Sequence, residues 1–229
     1  MLRFAFLVLI GAMLLGGCGG DEVGSTTTRA PSTTTTVMAG GQTPLEAATA
    51  WLDALSIGRY PAADVMVVEE QFVLLLAVES FSPELYDNLV TGGISPDVSR
   101  TFWESFVAGV RGFTGADITE VDVVGERRFE AYGRQFAEVE AMSPRGDLTI
   151  IARQESNGQW FVDLLATFGP SFAPLFNPWV ERLPGEVSDP LEALARQRPS
   201  LEVARDRAEG TPGDQAGTEL VLLLEQLPG

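Results

Sequence analysis

Residues 148–167, LTIIARQESNGQWFVDLLAT, decide the fold of this chain. The stretch consists of two apolar segments on either side of Asn157-Gly158, the dipeptide most typical of a tight turn between antiparallel strands. A two-residue turn pairs Ser156 with Gln159 and thereby fixes the register of every later pair. The stretch is therefore predicted to be a β-hairpin.

The predicted register leaves both faces of this hairpin apolar. Ile151 and Val162 lie on one face, whereas Ile150, Phe161 and the carboxylate of Asp163 lie on the other. A sheet with one face in water shows a cleaner alternation of apolar and polar side chains. We therefore expect both faces to be covered, one by the preceding helices and the other by a later part of the chain.

Helical signals fill the chain before the sheet. Residues 43–46, TPLE, form a capping box with proline at the first helical position, and Gly58 ends the helix that follows. Residues 64–80 are apolar nearly all round and predict a buried helix, with a strand in its second half as the alternative. Ser-Pro pairs at 82–83 and 95–96 each open a further helix.

The apolar spacing then changes from helical to alternating. Residues 118–124 alternate, and residues 129–142 predict one long strand or two, with Gly133 as a bend or bulge. With the hairpin, these segments form a predicted antiparallel sheet.

A proline-rich segment follows the sheet. Residues 168–179 repeat the pattern Phe-x-Pro-x three times. Proline at every fourth position argues against a continuous helix, so we expect an extended strap that buries its aromatic side chains on the second face of the sheet. The alternative is an exposed strip that binds a partner. The tail from Asp189 is predicted to be helical in pieces.

Helices followed by an antiparallel sheet make an α+β layout. This layout resembles the NTF2-like superfamily, in which helices pack as a cone against a curved antiparallel sheet; residues 44–52, 58–63 and 157–162 carry the resemblance. The resemblance implies a pocket, used by some members for isomerase or dehydratase chemistry and by many for binding. We assign residues 44–167 to this domain and 168–229 to the Pro/aromatic strap and helical tail packed on it.

The N-terminus has the layout of an export signal. Arg3 precedes an apolar run over residues 4–15, which is too short to cross a hydrocarbon core of about 30 Å. The sequence LGGC at 15–18 resembles the lipobox of bacterial lipoproteins. The resemblance implies that the signal peptide, residues 1–17, is removed, and that Cys18 carries lipid and anchors the protein to the extracytoplasmic face of the cell membrane.

Residues 18–43 are rich in Ser, Thr and Gly and hold little that could be buried. We expect them to form a disordered linker between the lipid and the folded body. A glycosylated stalk is the alternative, because Ser/Thr runs with proline can accept sugars.

Composition excludes several kinds of chemistry. The formal charge of −17 disfavours nucleic acid as a partner, because acidic side chains repel phosphate. The chain has no His, which removes imidazole metal sites and Ser-His-Asp catalysis. With one Cys it forms no internal disulfide. We expect no metal and no cofactor, since neither a calcium-binding loop nor a phosphate-binding loop is present.

One side chain is a candidate for catalysis. If Asp163 lies in an apolar hollow, its pKa is raised and it can serve as a general acid or base. The alternative is that Asp163 pairs with an arginine or lies at a solvated end of the sheet. The sequence does not decide whether the protein is an enzyme, although the lack of His argues against it. We expect a non-enzymatic binding or interaction lipoprotein, with a protein partner or a small apolar ligand. The alternative is a carboxylate-based isomerase or dehydratase acting on a small apolar substrate.

Overall fold

The computed structural model describes residues 39–80, 82–114, 117–118, 120–144, 146–183, 189–208 and 215–228, all of which belong to one compact unit. They form a mixed α+β fold, as predicted. The helices are α1 (Pro44–Ser56), α2 (Tyr60–Asp64), α3 (Glu69–Glu79), α4 (Pro83–Gly92), α5 (Pro96–Thr114), α6 (Leu164–Val180), α7 (Asp189–Arg196), α8 (Arg198–Ala208) and α9 (Gln215–Gln226). The strands are β1 (Asp122–Ala131), β2 (Arg134–Met142), β3 (Leu148–Gln154) and β4 (Trp160–Val162).

The predicted starts of the early helices are confirmed. The Thr43 hydroxyl accepts a hydrogen bond from the Glu46 amide at 3.1 Å, and the Glu46 carboxylate accepts one from the Gln42 amide at 3.0 Å. Gly58 follows α1 with a positive φ of 68°, a conformation that favours glycine.

The predicted helix over residues 64–80 is confirmed from Glu69 to Glu79, as α3, and its second half is not a strand. It is wrong for the residues just before α3, since Val67 forms a parallel β-bridge with Val162 of β4.

The sheet has the order β1-β2-β3-β4, and all neighbouring strands are antiparallel. Tyr132 and Gly133 both have positive φ, 51° and 70°, and form the tight turn between β1 and β2. Residues 129–142 are thus two strands, and Gly133 is a turn residue rather than a bend within one strand. A register shift between Val123 and Gly125 adds a bulge to β1.

The predicted pairing of Ser156 with Gln159 is wrong by one residue. The Glu155 amide donates to the Gln159 carbonyl at 2.9 Å, and the Gly158 amide donates to the Glu155 carbonyl at 2.8 Å. Gly158 has a φ of 81° and takes the left-handed position of a three-residue loop. The asparagine-glycine pair is compatible with either loop, so it predicted the hairpin correctly but its register incorrectly.

With this register, one face of the sheet, the core face, carries residues of the main core, and the other, which we call the mixed face, carries both apolar and polar side chains. On the core face, Ala152 stands opposite both Ala137 and Val162, and all three are fully buried. Helix α1 contacts all four strands and belongs to the same apolar core. The mixed face carries Ile151 and Arg153.

The mixed face is covered by different residues from those expected. Phe136 and Ile151 form a small buried cluster with Ala166 from the first turn of α6 and Val203 from α8. Cover on both faces is therefore confirmed in this region. The residues that cover the mixed face are not the aromatic residues of the proline-rich segment, because those belong to the main core.

The expectation of an extended strap over residues 168–179 is wrong, because this segment lies within α6. A spacing of four residues places Pro170, Pro174 and Pro178 along one side of the helix, so the missing amide donors are confined to that side. The carbonyl of Ala166, four residues before Pro170, instead accepts a hydrogen bond from the Arg207 guanidinium at 3.2 Å. The predicted burial of the aromatic residues is confirmed for Phe168, Phe172, Phe176 and Trp179.

Helix α6 approaches α8 closely at Gly169. A Cβ atom at this position would stand 2.8 Å from the Cβ of Ala204 and 3.5 Å from a methyl group of Leu220. The first distance is shorter than carbon atoms tolerate. The crossing of these helices therefore requires glycine at position 169.

We predict that Gly169→Ala destabilises the body by about 1–3 kcal/mol, because the added methyl group forces α6 and α8 apart. Gly109→Ala in α5 is the matched control. A Cβ there meets no atom within 4 Å, so the same change should stabilise the helix by about 0.5–1 kcal/mol. Urea unfolding of each variant measures both effects.

The double variant Gly169→Ala with Ala204→Gly restores room at the crossing. Its loss of stability should be smaller than the sum of the two single losses. Strict additivity of the two changes would contradict the close approach at this crossing.

Candidate functional site

Asp163 caps the N-terminus of α6 and is completely buried. Its Oδ1 accepts hydrogen bonds from the Ala166 amide and from the Gln71 side chain, both at 2.8 Å, and its Oδ2 accepts one from the Ser200 hydroxyl at 2.5 Å. The Arg153 guanidinium lies 3.6 Å from Oδ2. The carboxylate is therefore surrounded by donors and by one positive charge.

These contacts form part of a larger set of buried hydrogen bonds. We define the buried polar network as Gln71, Arg153, Asp163, Gln197 and Ser200, each at most 3% exposed. The Gln197 side-chain oxygen accepts from Arg153 at 3.0 Å and from Gln71 at 3.1 Å. Arg153 also donates to the Ser200 oxygen at 2.9 Å. The network thus links β3, the start of α6, α3 and the junction of α7 with α8.

The network reaches the surface at two points. Arg153 forms an ion pair with the half-buried Glu155, at 2.5 Å. Gln197 donates to the Glu70 carboxylate, which also accepts a hydrogen bond from Arg196 at 2.9 Å. The buried charges are thus compensated both internally and at these two edges.

The surroundings of Asp163 differ from the apolar hollow considered above. A general acid or base must come within hydrogen-bonding distance of its substrate, directly or through one water molecule. Asp163 has no exposed surface, and both of its oxygens already accept hydrogen bonds. Its contact with Arg153 agrees with the alternative of an aspartate paired with an arginine. This geometry suits a structural role.

Sequence reasoning missed the other four members of the network. Gln71 follows Glu69 and Glu70 in the sequence, a polar run of the kind typical of the wet side of a helix, yet its side chain is fully buried. Arg153 stands alone as a charge in an apolar strand, which is the one sequence signal that pointed to a buried partner. Gln197 and Ser200 carry no comparable signal.

Other acidic side chains on the sheet and the phenol of Tyr132 do not converge with Asp163. Glu138 pairs with Arg127 on the neighbouring strand, and Glu140 is exposed. Tyr132 donates to Asp206 at the turn between β1 and β2. Within the described ranges, no group of three or more acidic or sulfur-bearing side chains is placed to hold a metal ion. Cys18, the predicted lipidation site, lies outside the described residues.

A groove of about 310 Å³ opens between α4 and α7. Its lining combines acidic, apolar and aromatic side chains: Tyr86, Asp87, Val90, Thr91, Asp189, Glu192 and Arg196. Asp163 does not line this groove. The groove is a surface feature rather than an enclosed pocket beneath the sheet.

Large aromatic side chains occupy the core between the helices and the sheet. Trp51, Phe72 and Trp103 are at most 1% exposed, and the rings of Phe72 and Trp103 stack with centroids 5.2 Å apart. The ring of Phe168 meets Phe106 edge-on at 5.0 Å, which ties α6 to α5. These rings fill the core between the helices and the sheet.

Comparison of the chain with family models, with curated proteins and with solved structures found no match. None of the helices in the described part of the chain is both long and apolar enough to cross a membrane.

We predict that Ser200→Ala lowers the free energy of unfolding by about 1–3 kcal/mol, because it removes a donor to one buried charge and an acceptor from another. Asp163→Ala should cost about 3–5 kcal/mol, because the buried donors of Gln71, Ala166 and Ser200 lose their acceptor and Arg153 keeps only Glu155 as an ionic partner. Chemical denaturation measures both losses.

Asp97→Ala is the matched control. Asp97 pairs with Arg100 on the surface, with its side chain 84% exposed, so its removal should change stability little. Equal effects of Asp97→Ala and Asp163→Ala would show that the network does not stabilise the fold.

Proposed function

We propose that this protein is a lipid-anchored lipoprotein on the extracytoplasmic face of the cell membrane, with a binding or interaction role. The observation that carries this proposal is the N-terminal sequence, in which an export signal ends in Leu15-Gly16-Gly17-Cys18. A single acyl chain binds membranes only marginally, whereas the two or three chains of a bacterial lipoprotein suffice for stable anchoring. Lipidation would also account for the presence of a single cysteine in the chain.

The linker determines how the folded body stands relative to the lipid. The predicted end of this linker at residue 43 is wrong, because the Gly40 amide donates to the Val65 carbonyl and the Gly41 amide to the Trp160 carbonyl, both at 2.8 Å, so these residues belong to the folded body. As a flexible coil, the shorter linker from Cys18 to residue 38 would give an end-to-end distance of roughly 23–27 Å. The charge of −17 is repelled by anionic headgroups, which disfavours direct contact of the body with the membrane. The body is thereby presented to soluble or membrane-bound partners.

Three features of the body support binding rather than catalysis. The buried carboxylate of Asp163 is already bonded, the core is occupied by aromatic rings, and the groove between α4 and α7 is open at the surface. The chain also lacks His, the usual general base. Each feature argues against an isomerase or dehydratase that acts on a small molecule.

An NTF2-like fold for residues 44–167 is part of the proposal. In its favour, α1 contacts all four strands of an antiparallel sheet, with further helices in the same core. The continuation of β4 directly into α6, after three strand residues, departs from a sheet-terminated domain of that kind. The proposed binding role does not depend on this assignment.

We predict that Cys18→Ala abolishes acylation and leaves the protein either unprocessed or released from the membrane fraction. Metabolic labelling with a radioactive fatty acid, followed by fractionation, measures both effects. Ser25→Ala in the linker is the control and should label and fractionate like the wild type. Unchanged label and membrane association in the Cys18 variant would refute the anchor.

A further inference from the structure

The two edges of the sheet differ in how their backbone groups are paired. At the β4 edge, Gly41 exchanges two backbone hydrogen bonds of 2.8 Å with Trp160, and Val162 bonds to Met66 and Val68. At the other edge, β1 forms no backbone-to-backbone hydrogen bond with a described residue outside β2. Because β1 is ten residues long, its outward amide and carbonyl groups form an open edge to which another strand can be added.

Charged side chains on β1 determine which strand can pair with this edge. Glu126, Arg127, Arg128 and Glu130 are all exposed. Arg128 bonds to Glu126 within the chain, yet its side chain remains 53% exposed. Charges along an edge strand usually prevent two copies from pairing, because like charges meet. Pairing is compatible with them only in a register that sets opposite charges against each other.

A second copy of the chain offers one such register. A two-fold axis between two antiparallel edge strands is perpendicular to the sheet, so residues equally far from the central residue lie directly opposite each other on the same face. An axis at Glu126, Arg127, Arg128 or Glu130 places that charge directly opposite itself. An axis at Phe129 avoids every such pair and sets Arg128 of each copy opposite Glu130 of the other.

The same register extends an aromatic stack that is already present on the mixed face. Phe129 stacks on Phe136 of β2, with ring centroids 5.7 Å apart. With the axis at Phe129, this ring lies beside its own copy, which gives a row of four phenylalanine rings across the two sheets. The bulge of β1, between Val123 and Gly125, falls outside the paired segment 127–131. Charge, aromatic packing and regular strand geometry therefore favour the same register.

We propose that two copies of this chain pair through β1, with Phe129 on the two-fold axis and an ion pair between Arg128 and Glu130 on each side of it. The four described strands of each copy then form one continuous antiparallel sheet. The inference goes beyond the proposed function and does not depend on the lipid anchor, because it rests on described residues alone. Anchoring to one membrane raises the local concentration of the copies and strengthens the same pairing.

Charge reversal in the full chain tests this register. Arg128→Glu sets two carboxylates opposite each other and Glu130→Arg sets two guanidinium groups opposite each other, so each variant alone should dimerise roughly tenfold more weakly than the wild type. An equimolar mixture of the two variants restores both opposite-charge pairs in the mixed dimer, which should form about as tightly as the wild-type dimer. Sedimentation at several protein concentrations, in detergent with micelles in excess over protein, measures the association.

Glu140→Arg is the matched control for Glu130→Arg. Glu140 is exposed on β2, one strand in from the edge, so the same charge change there should leave dimerisation unchanged. Thermal unfolding of each variant separates lost pairing from lost structure.

Hydrogen exchange of the wild-type chain gives a readout that needs no variant, because the β1 amides should exchange more slowly as protein concentration rises. A wild-type chain that stays monomeric up to about 1 mM, or a mixture that associates no more tightly than its separate variants, would overturn the inference. Either result leaves the anchored lipoprotein standing, because that proposal is tested separately at Cys18.

Discussion

The burial of one carboxylate, that of Asp163, constrains the rest of the body. A charge in the interior is tolerated only where donors and an opposite charge surround it. Gln71 comes from α3, Arg153 from β3 and Ser200 from α8, so segments distant in sequence must meet at one point. Asp163 also caps α6, and the same carboxylate therefore fixes where the sheet ends and this helix begins.

Helix α6 depends on this starting point because its own sequence is a poor helix former. Its prolines remove backbone donors, and the Arg207 guanidinium supplies one donor in their place, to the Ala166 carbonyl. The capping carboxylate of Asp163 separately accepts a hydrogen bond from the Ala166 amide and stabilises the start of the helix. Burial of four aromatic side chains, each worth about 1.5–3 kcal/mol, then favours the helix in this context. At Gly169 the helix comes close enough to α8 to complete the packing around the network.

Local signals predicted more of this fold than non-local ones. The capping box at 43–46 and the alternation of the strands depend on neighbouring residues, and they gave the α+β layout. The hairpin register was missed because Asn157-Gly158 suits both a two-residue and a three-residue loop. The helix at 168–179 was missed because tertiary burial outweighs proline's local cost. Most of the network was missed because the sequence around a buried glutamine or serine does not differ from that around an exposed one. The predicted lipidation site, Cys18, lies outside the described residues and is not tested by the structure.

Native-state amide hydrogen exchange tests most directly whether the network unites the body. If it does, the most protected amides of β3 and α8 should open only with global unfolding and share its free energy. The amides of Leu165 and Ala166, which donate to Gln71 and Asp163, should belong to the same group. Exchange of α8 at a clearly lower free energy than β3 would contradict the account, because the C-terminal helices would then detach from the sheet without breaking its core.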